Sequence, residues 1–404
     1  MKLAHIFLVS STLFVYNEAL ADNEVWNQKA NFGGPARHRC TAFAIGNKGY
    51  IGLGHINSTI DVEYADFWEY DPSTNSWSQK ADFGGGQRYH AFGFTIGSKA
   101  YVGTGRKPSG GYEDDLWEFD PIANTWTQKT DIPGANRRGA IAFVLDGIGY
   151  VGTGEVTGTG FSNDFFAYNS ILDSWYQIAT FPGAERTAAV CFTIGDRAFV
   201  GTGGLGVGMN DFWEYIPSLD QWIQRADVGP TPRQEAVGFS VNGKGYIGTG
   251  DDFSSGTNFG DMWEYDANTD TWTQTADFGG IPRRYLVSFV IGSKVYAGTG
   301  TNGTNFKDFW EYDKLLSLEK SSEKIVVSVY PNPTSEFITI DLGAFDTKET
   351  SIQFYQLDGK LIYTAKITNQ KTTIDIKSLG SGTYFYSILS NQDIVKSGKI
   401  ILNL

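Results

Sequence analysis

The hexapeptide DFWEYD at Asp66–Asp71 decides the fold, because close copies of it recur along most of the chain. Successive copies are separated by 49, 49, 47, 50 and 47 residues. A period near 50 residues that contains several short strands predicts a radial array of small sheets rather than one packed sandwich. The other copies are DLWEFD at Asp115–Asp120, DFFAYN at Asp164–Asn169, DFWEYI at Asp211–Ile216, DMWEYD at Asp261–Asp266 and DFWEYD at Asp308–Asp313.

Each unit of the repeat predicts four strands. Two apolar stretches separated by a Gly-Ser-Lys turn, as in AFGFTIGSKAYVG at Ala91–Gly103, indicate a β-hairpin. The hexapeptide forms the third strand, and a turn such as DPSTNSW at Asp71–Trp77 leads to a fourth strand with a tryptophan. An arginine stands 15 residues before a GTG tripeptide, GLG in the first unit, in every copy: Arg37, Arg88, Arg137, Arg186, Arg233 and Arg283.

The tryptophans of the fourth strand predict how the array closes. Trp26 has no hexapeptide before it, and the last hexapeptide, Asp308–Asp313, has no tryptophan strand after it. The segment VWNQKANF at Val25–Phe32 matches the missing strand. We therefore expect the N-terminal strand to complete the sixth sheet, which removes an open sheet edge. The six tryptophans are Trp26, Trp77, Trp126, Trp175, Trp222 and Trp272.

The leading arginine, the hairpin, the glycine tripeptide, the Tyr-Asp turn and the tryptophan together resemble the kelch repeat, over about Val25–Asp313. Kelch repeats usually carry Gly-Gly where this chain has Gly-Thr-Gly, and the third copy has Phe166 and Ala167 in place of Trp and Glu. The resemblance implies an all-β fold, a six-bladed kelch-like β-propeller over residues 22–313 closed by the N-terminal strand. The resemblance also implies a galactose oxidase-like architecture.

The two ends of the chain differ from the repeat. Lys2, an apolar run over Ile6–Val15 and Ala19-Leu20-Ala21 predict a signal peptide over residues 1–21, with cleavage before Asp22. The apolar run is too short for a transmembrane segment, so none is expected. Residues 314–323 are polar and predict a linker. Residues 324–404 contain about seven short alternating strands, which predict a small Ig-like β-sandwich.

Four motifs in this C-terminal region resemble the sorting domain of the type IX secretion system (T9SS type A, also called the Por sorting domain). They are VYPNPTSE at Val329–Glu336, LDGKLI at Leu357–Ile362, the run Leu379–Tyr384 and VKSGKIIL at Val395–Leu402. The resemblance implies that the type IX machinery is a partner of this domain. It also implies export to the medium or to the outer cell surface.

Charge and cysteine content exclude some functions. The net charge of −13 disfavours nucleic-acid binding, which needs a basic stripe. Two cysteines are too few for a disulfide scaffold. Cys40 and Cys191 belong to the first and fourth units, on opposite sides of a six-membered ring, so we expect two free thiols.

The repeated arginines have two interpretations. They could form a cationic ring for an anionic ligand, or each could pair within its own blade with the aspartate that opens the hexapeptide, and the second is favoured because a feature of every blade serves the blade. Ligand recognition is then expected from residues that differ between units and follow the arginines at the channel mouth. These candidates are His38, Arg39, Tyr89, His90, Arg138, Glu235, Arg284 and Tyr285, whereas the aspartates of the structural pairs are Asp66, Asp115, Asp164, Asp211, Asp261 and Asp308.

The sequence therefore predicts a secreted binding or interaction module for a glycan or protein ligand, with no cofactor and no metal. Two enzymatic alternatives remain open. A sugar epimerase or mutarotase could use Glu235 as a base beside Arg233 and Arg284. A copper oxidase of the galactose oxidase type could use His38, His90 and the tyrosines Tyr89 and Tyr285, although no cysteine is placed for a tyrosine cross-link.

Overall fold

The computed structural model describes residues 24–56, 62–158, 160–314, 327–342, 350–356, 360–390 and 393–403. The chain divides into two compact units, Met1–Leu316 and Ser317–Leu404. The predicted signal peptide, and all of the predicted linker except its first residue, lie outside the described residues. In the part of the chain that is described, all regular structure is β, and no helix is long and apolar enough to cross a membrane.

The first unit contains six antiparallel four-stranded sheets, numbered here 1 to 6 in chain order. Five of them follow the chain from first to fourth strand, and sheet 6 takes its fourth strand from the N-terminus. The strands are Thr41–Ile45, Lys48–Gly52, Phe67–Asp71 and Ser76–Lys80 in sheet 1; Phe92–Ile96, Lys99–Gly103, Leu116–Asp120 and Thr125–Lys129 in sheet 2; Ile141–Leu145, Ile148–Gly152, Phe165–Asn169 and Ser174–Gln177 in sheet 3; Val190–Ile194, Arg197–Gly201, Phe212–Ile216 and Gln221–Arg225 in sheet 4; Val237–Val241, Lys244–Gly248, Met262–Asp266 and Thr271–Thr275 in sheet 5; and Val287–Ile291, Lys294–Gly298, Phe309–Lys314 and Glu24–Lys29 in sheet 6.

Short two-residue strands form small additional sheets near the GTG tripeptides. They matter for the site because three of them directly follow a tripeptide, and these pair with the segment after a repeated arginine, as Glu155 does with Arg138. They are His55–Ile56 with Val62–Glu63, Arg137–Arg138 with Glu155–Val156 and Gly160–Phe161, and Asp251–Asp252 with Thr257–Asn258.

The glycine tripeptide is required by close packing and by backbone geometry. A Cβ atom at Gly52 would lie 2.6 Å from the carbonyl oxygen of Asp66, a separation that real side chains do not adopt. The next residue, Leu53, has a φ of 58°, and its threonine counterparts in the other sheets share this left-handed conformation. Each tripeptide therefore turns the chain sharply out of the second strand.

The six first strands contact one another in a closed cycle, in which the strand of sheet 6 meets that of sheet 1. Hydrogen bonds between neighbouring sheets follow the same cycle. The amide of Gly54 in sheet 1 donates to the carbonyl of Arg88 in the next sheet, and the amide of Gly300 in sheet 6 donates to the carbonyl of Arg37 in sheet 1. This arrangement of sheets is consistent with a β-propeller.

The fourth-strand tryptophans of sheets 1 to 5 link each of these sheets to the preceding one. The indole nitrogen of Trp77 donates to the carbonyl of Ala30, and the amide of Ala30 donates to the side chain of Asn75. The same exchange joins sheets 2 to 5 to the sheets before them, with Trp126 and Ala81 as the next example. The repeated tryptophan thus supplies both apolar area and a directional contact between sheets.

The N-terminal strand pairs with the last hexapeptide, with Trp26 opposite Tyr312. Trp26 is 8% exposed, and its ring lies 5.0 Å from that of Phe278 and 5.1 Å from that of Tyr312. Of the two cysteines, Cys40 is buried and Cys191 is half-buried, and both are free thiols.

The second unit consists of two antiparallel sheets that enclose a common apolar core. Ile338, Ile340, Ile352 and Phe354 of this core are fully buried. In the described residues of this unit, seven strands form the sheets, in agreement with a small sandwich. They are Ser328–Tyr330, Phe337–Asp341 and Lys371–Asp375 in one sheet, and Leu361–Ile367, Thr350–Tyr355, Gly382–Ser390 and Asp393–Leu402 in the other.

Replacement of Trp26 by alanine is expected to lower the free energy of unfolding of the first unit by about 3–5 kcal/mol, because it removes a buried indole from between two sheets. Tryptophan fluorescence during denaturant unfolding reports on this unit alone, since all 11 tryptophans lie within it. The control is Ile122→Ala, at a side chain that is 92% exposed. Equal stabilities of the two variants would show that the N-terminal strand contributes nothing to sheet 6.

Candidate functional site at the channel mouth

The repeated arginines are buried inside their own sheets. The side chain of Arg233 donates to both carboxylate oxygens of Asp261, at 2.9 and 2.7 Å, and to the carbonyl of Thr249. All six arginines are 0–1% exposed. Each donates to both carboxylate oxygens of its aspartate and to the central carbonyl of its glycine tripeptide. Because both terminal nitrogens of each guanidinium are occupied, these residues anchor the sheets. The pairs are Arg37–Asp66, Arg88–Asp115, Arg137–Asp164, Arg186–Asp211, Arg233–Asp261 and Arg283–Asp308.

The residues two positions after these arginines form a ring around the axis. Their φ angles lie between 54° and 64°, and the amide of each donates to the carbonyl of the preceding member from His90 through Tyr285. The repeat therefore fixes the backbone, whereas the side chains differ at every position. The members of this axial ring are Arg39, His90, Gly139, Ala188, Glu235 and Tyr285.

The axial ring lines a cavity of about 140 Å³. Arg39, His90, Glu235 and Tyr285 provide one side, and small residues provide the other. Gly139 and Ala188 belong to the axial ring on that side, and Ala140 and Ala189 lie next to them. The cavity thus has a polar wall that can bind and orient a ligand, and a smooth wall that leaves room for it.

Arg39 is the central cation of the polar wall. One terminal nitrogen lies 2.8 Å from His55 Nε2 and 3.3 Å from His38 Nε2, and the other donates to the Tyr285 hydroxyl at 2.5 Å. These partners are all uncharged side chains, and among the described residues Arg39 has no carboxylate within salt-bridge distance. A partly buried cation without a counter-ion favours an anion that comes from outside the protein.

Glu235 faces Arg39 across Tyr285. The Tyr285 hydroxyl donates to Glu235 Oε1, and Glu235 Oε2 lies 3.2 Å from Arg284 Nε, which is not aligned for a hydrogen bond. Arg284 donates instead to Asp251 at 2.6 Å. The pKa of Glu235 is raised to about 7: burial is the largest cause and the nearby Asp251 adds to it, while the Tyr285 hydrogen bond and Arg39 oppose the shift. Glu235 can therefore exchange a proton near neutral pH.

The three histidines of the site are neutral. Burial lowers the pKa of His38 to about 3 and that of His55 to about 2, and the adjacent Arg39 adds to both shifts. His38 Nδ1 lies 2.7 Å from the side-chain oxygen of Asn305, which assigns the proton to Nδ1 and leaves Nε2 to accept from Arg39. The His55 ring stacks on that of Tyr89 at 3.9 Å. Burial also lowers the pKa of His90 well below its usual value.

This arrangement does not fit a copper ion. The guanidinium of Arg39 occupies the space between His38 Nε2 and His55 Nε2, so the two imidazole nitrogens that could bind a metal already face a cation. Within the described ranges, no group of three or more His, Cys, Asp or Glu is placed to hold a metal ion.

The structure brings most of the predicted site residues together and adds others. His38, Arg39, Tyr89, His90, Glu235, Arg284 and Tyr285 lie in one network of contacts. Arg138 lies at the rim, where it binds Glu155 at 2.5 Å. The residues that the prediction missed are His55, Arg106, Glu155, Asp251 and Asn305. Four of them directly follow a glycine tripeptide, and the backbone of that position pairs with the residue after the repeated arginine, as in His38 with His55.

Several buried polar atoms in and beside this cavity have no hydrogen-bond partner among the described residues. They belong to five side chains of the polar wall and its immediate surroundings. Buried polar groups are almost always paired in folded proteins, so these atoms make the cavity a candidate ligand site. The atoms are Arg39 Nε, Arg284 Nε, Glu235 Oε2, Asp251 Oδ1 and both ring nitrogens of His90. His90 is replaced by Gly139 and Ala188 in the next two sheets, so the fold itself does not require its ring.

Comparison with known protein families gives a clear result for the C-terminal unit. Residues 328–403 match the family described as "Secretion system C-terminal sorting domain". This domain marks proteins that the type IX system secretes to the cell surface or the extracellular space, so this chain is secreted. The match confirms the sorting domain that the C-terminal motifs predicted.

Two further comparisons show similarities over other shares of the chain. The chain is 34% identical over 89 residues to "Ulvan lyase NLR42" of Nonlabens ulvanivorans, which is 22% of this chain and 16% of that protein. It is similar to the solved "Structure of YjhT" with a TM-score of 0.59 and 16% identity, over 70% of this chain and 95% of that one. At this identity the second likeness shows the fold alone.

The raised pKa of Glu235 predicts a pH-dependent stability. Because the folded state binds this proton more tightly than the unfolded state, the stabilisation is present below about pH 4.5 and is lost as the pH rises through about 7. Glu235→Gln is neutral at every pH, so wild type should lose up to about 3 kcal/mol relative to it between pH 4.5 and 8. Denaturant unfolding at several pH values measures this difference. An exposed glutamate supplies the control, Glu185→Gln, which should follow wild type.

Proposed function

We propose that the first unit is a six-bladed kelch-like propeller closed by its N-terminal strand, and that its channel mouth binds a glycan outside the cell. The cyclic contacts between first strands and the pairing of Trp26 with Tyr312 support the closure. The secretion route supports an extracellular ligand. The single observation that carries the binding function is the set of buried polar atoms without a hydrogen-bond partner around one cavity.

The dimensions of the cavity favour a small ligand over a protein. At about 140 Å³ it is smaller than most cofactor and drug sites, which occupy roughly 300–1,000 Å³. A protein ligand recognised through the cavity alone would bury far less than the roughly 1,200 Å² of a standard interface. One sugar unit, with several hydroxyls to match the unpaired donors and acceptors, agrees with both the size and the polarity of the site.

The charges favour an acidic sugar. Arg284 and Arg138 have carboxylate partners, whereas Arg39 contacts only neutral groups. The low pKa values of His38 and His55 keep these rings uncharged, so they hold Arg39 in place without repelling it. A carboxylate on the ligand would supply the missing counter-ion and would form charge-assisted hydrogen bonds with the guanidinium.

A second candidate function is acid–base catalysis on a sugar, such as epimerisation or mutarotation. The observation that favours it is Glu235, a carboxyl group with a pKa of about 7 that faces the cavity and is hydrogen-bonded to Tyr285. Such a group can both remove and return a proton at neutral pH. The similarity to a lyase of ulvan makes ulvan a substrate worth testing. Loss of turnover in Glu235→Gln with ligand binding retained would establish catalysis, whereas the absence of turnover by wild type would exclude it.

Replacement of Arg39 by glutamine should weaken the binding of galacturonate by the full chain about ten- to a hundredfold, because a hydrogen bond to a charged group is lost. Isothermal titration with galacturonate and with the neutral sugar galactose measures the effect and its charge dependence. Wild type should prefer galacturonate.

The control for this experiment is Lys48→Ala, which removes a cation from the hairpin turn at the other end of sheet 1 and should bind like wild type. Equal affinity for galactose and galacturonate, or unchanged binding by Arg39→Gln, would refute recognition of an acidic sugar. A glycan array that contains acidic and neutral glycans, with ulvan included, identifies the preferred sugar.

Removal of residues 324–404 should abolish the appearance of the protein outside the cell while leaving the first unit folded, because the sorting domain and the sheets form separate compact units. Immunoblots of medium, surface and cell fractions measure the export, and tryptophan fluorescence checks the fold. Wild-type amounts of the truncated protein in the medium would contradict this role of the C-terminal unit.

A further inference from the structure

Three exposed apolar side chains lie together beside the channel mouth. Leu205, Val207 and Phe253 are 42%, 57% and 58% exposed, and they belong to the loops that follow the glycine tripeptides of sheets 4 and 5. A Cβ atom built on Gly206 would lie 4.0 Å from Phe253 Cε1, so the two loops meet. These three residues are referred to below as the apolar lip.

The rim of the cavity consists, in each sheet, of the residue after the repeated arginine and the residue after the glycine tripeptide. In sheet 4 these two residues carry no charge. The rim positions of the neighbouring sheets carry Arg138 with Glu155 in sheet 3, and Gln234 with Asp251 in sheet 5. The corresponding residues of sheet 4 are Thr187 and Gly204. Residues 202–210 contain no charged side chain at all. The smooth wall of the cavity, with Ala188 in the same sheet, therefore continues into an uncharged part of the rim.

Direct contacts connect this part of the rim to the site. The amide of Gly204 donates to the carbonyl of Thr187, one residue before Ala188 of the cavity wall. A Cβ atom at Gly204 would lie 2.9 Å from the side-chain oxygen of Gln234, which directly precedes Glu235. The backbone of Gln234 pairs with Asp251, two residues before Phe253. The apolar lip thus borders the cavity through both of its loops.

We propose that the apolar lip is a second sugar subsite, which packs against the ring face of the unit that follows the acidic sugar held in the cavity. This inference rests on the proposed glycan-binding function. A cavity of about 140 Å³ admits one unit, and we place the rest of the oligosaccharide across the rim. The uncharged part of the rim at Thr187 and Gly204 is where it can cross without displacing an ion pair.

The chemistry of the lip suits the face of a pyranose ring. That face presents C–H groups, which carry a slight positive charge, and the face of an aromatic ring is negative. Phe253 therefore attracts a sugar ring as well as removing apolar area from water, and Leu205 and Val207 widen the contact. The occupant expected from this combination is the second unit of an acidic oligosaccharide, held by its ring face rather than by its charge.

Titration of the full chain with galacturonate and with tetragalacturonate tests the proposal. Wild type should bind the tetramer about tenfold more tightly than the monomer, since one aromatic contact contributes about that factor. The double variant Leu205→Ser and Phe253→Ser should bind the tetramer no better than the monomer and should keep wild-type affinity for the monomer. The matched control is Leu219→Ser, in the turn between the third and fourth strands of sheet 4. The Leu219 side chain is 58% exposed, as is that of Phe253.

The possible outcomes separate the lip from the cavity. Equal affinity of wild type for monomer and tetramer, or a double variant that still prefers the tetramer, would overturn the second subsite and leave the lip as a surface for a protein partner. Loss of monomer binding in the double variant would also overturn it, because the lip would then belong to the first subsite. If wild type binds neither galacturonate nor its tetramer, the proposed recognition of an acidic sugar itself fails.

Discussion

The buried arginine–aspartate pair is the interaction on which the rest of the first unit depends. Each pair joins the residue that precedes a first strand to the residue that opens a third strand, and it also binds the carbonyl at the centre of the glycine tripeptide, as Arg233 does with Asp261 and Thr249. These bonds tie together the three segments that meet at the channel mouth. Loss of one partner would leave the other charge buried and unpaired, which costs about 3–5 kcal/mol. The same constraint fixes the backbone of the next two residues, so their side chains can vary without loss of the fold.

The side chains at the axial positions are distributed unevenly around the axis. The axial position carries Arg39, His90, Glu235 and Tyr285 in four sheets but only Gly139 and Ala188 in the other two. Arg39 is held by neutral groups because burial keeps His38 and His55 unprotonated, whereas most other mouth cations have carboxylate partners. An array of near-identical sheets thereby produces a cavity with one polar wall and one smooth wall. That asymmetry gives a ligand a defined orientation, which a symmetric ring of arginines could not provide.

The repeated sequence made much of the sheet architecture predictable. The side chains at the channel mouth follow no repeat, so fewer of them could be predicted. The hexapeptide spacing and the displaced Trp26 are sufficient to predict the sheets and the pairing of the N-terminal strand with the segment Asp308–Asp313, because both follow from sequence periodicity. The Arg–Asp pairs were predictable for the same reason. His55 and Asp251 were missed because they occur once each, in loops without a pattern, and only the pairing of His55 with His38 shows which loop residues reach the site. The copper alternative depended on residue types alone, and it is inconsistent with the position of Arg39, which no spacing in the sequence reveals.

The proximity of Glu235 to Arg39 couples ligand charge to the protonation of the protein. Arg39 stabilises the ionised form of Glu235, and an anionic ligand at Arg39 would oppose that effect and favour the protonated carboxyl. Linkage makes this relation reciprocal: protonation of Glu235 strengthens the binding of the anion by the same factor by which the anion favours the proton. The Tyr285 hydroxyl, which accepts from Arg39 and donates to Glu235, transmits the coupling through direct hydrogen bonds. A neutral sugar would not produce this coupling. In the proposed binding of an acidic sugar, the Glu235 carboxyl group would therefore allow the cavity to adjust its charge to the ligand near neutral pH.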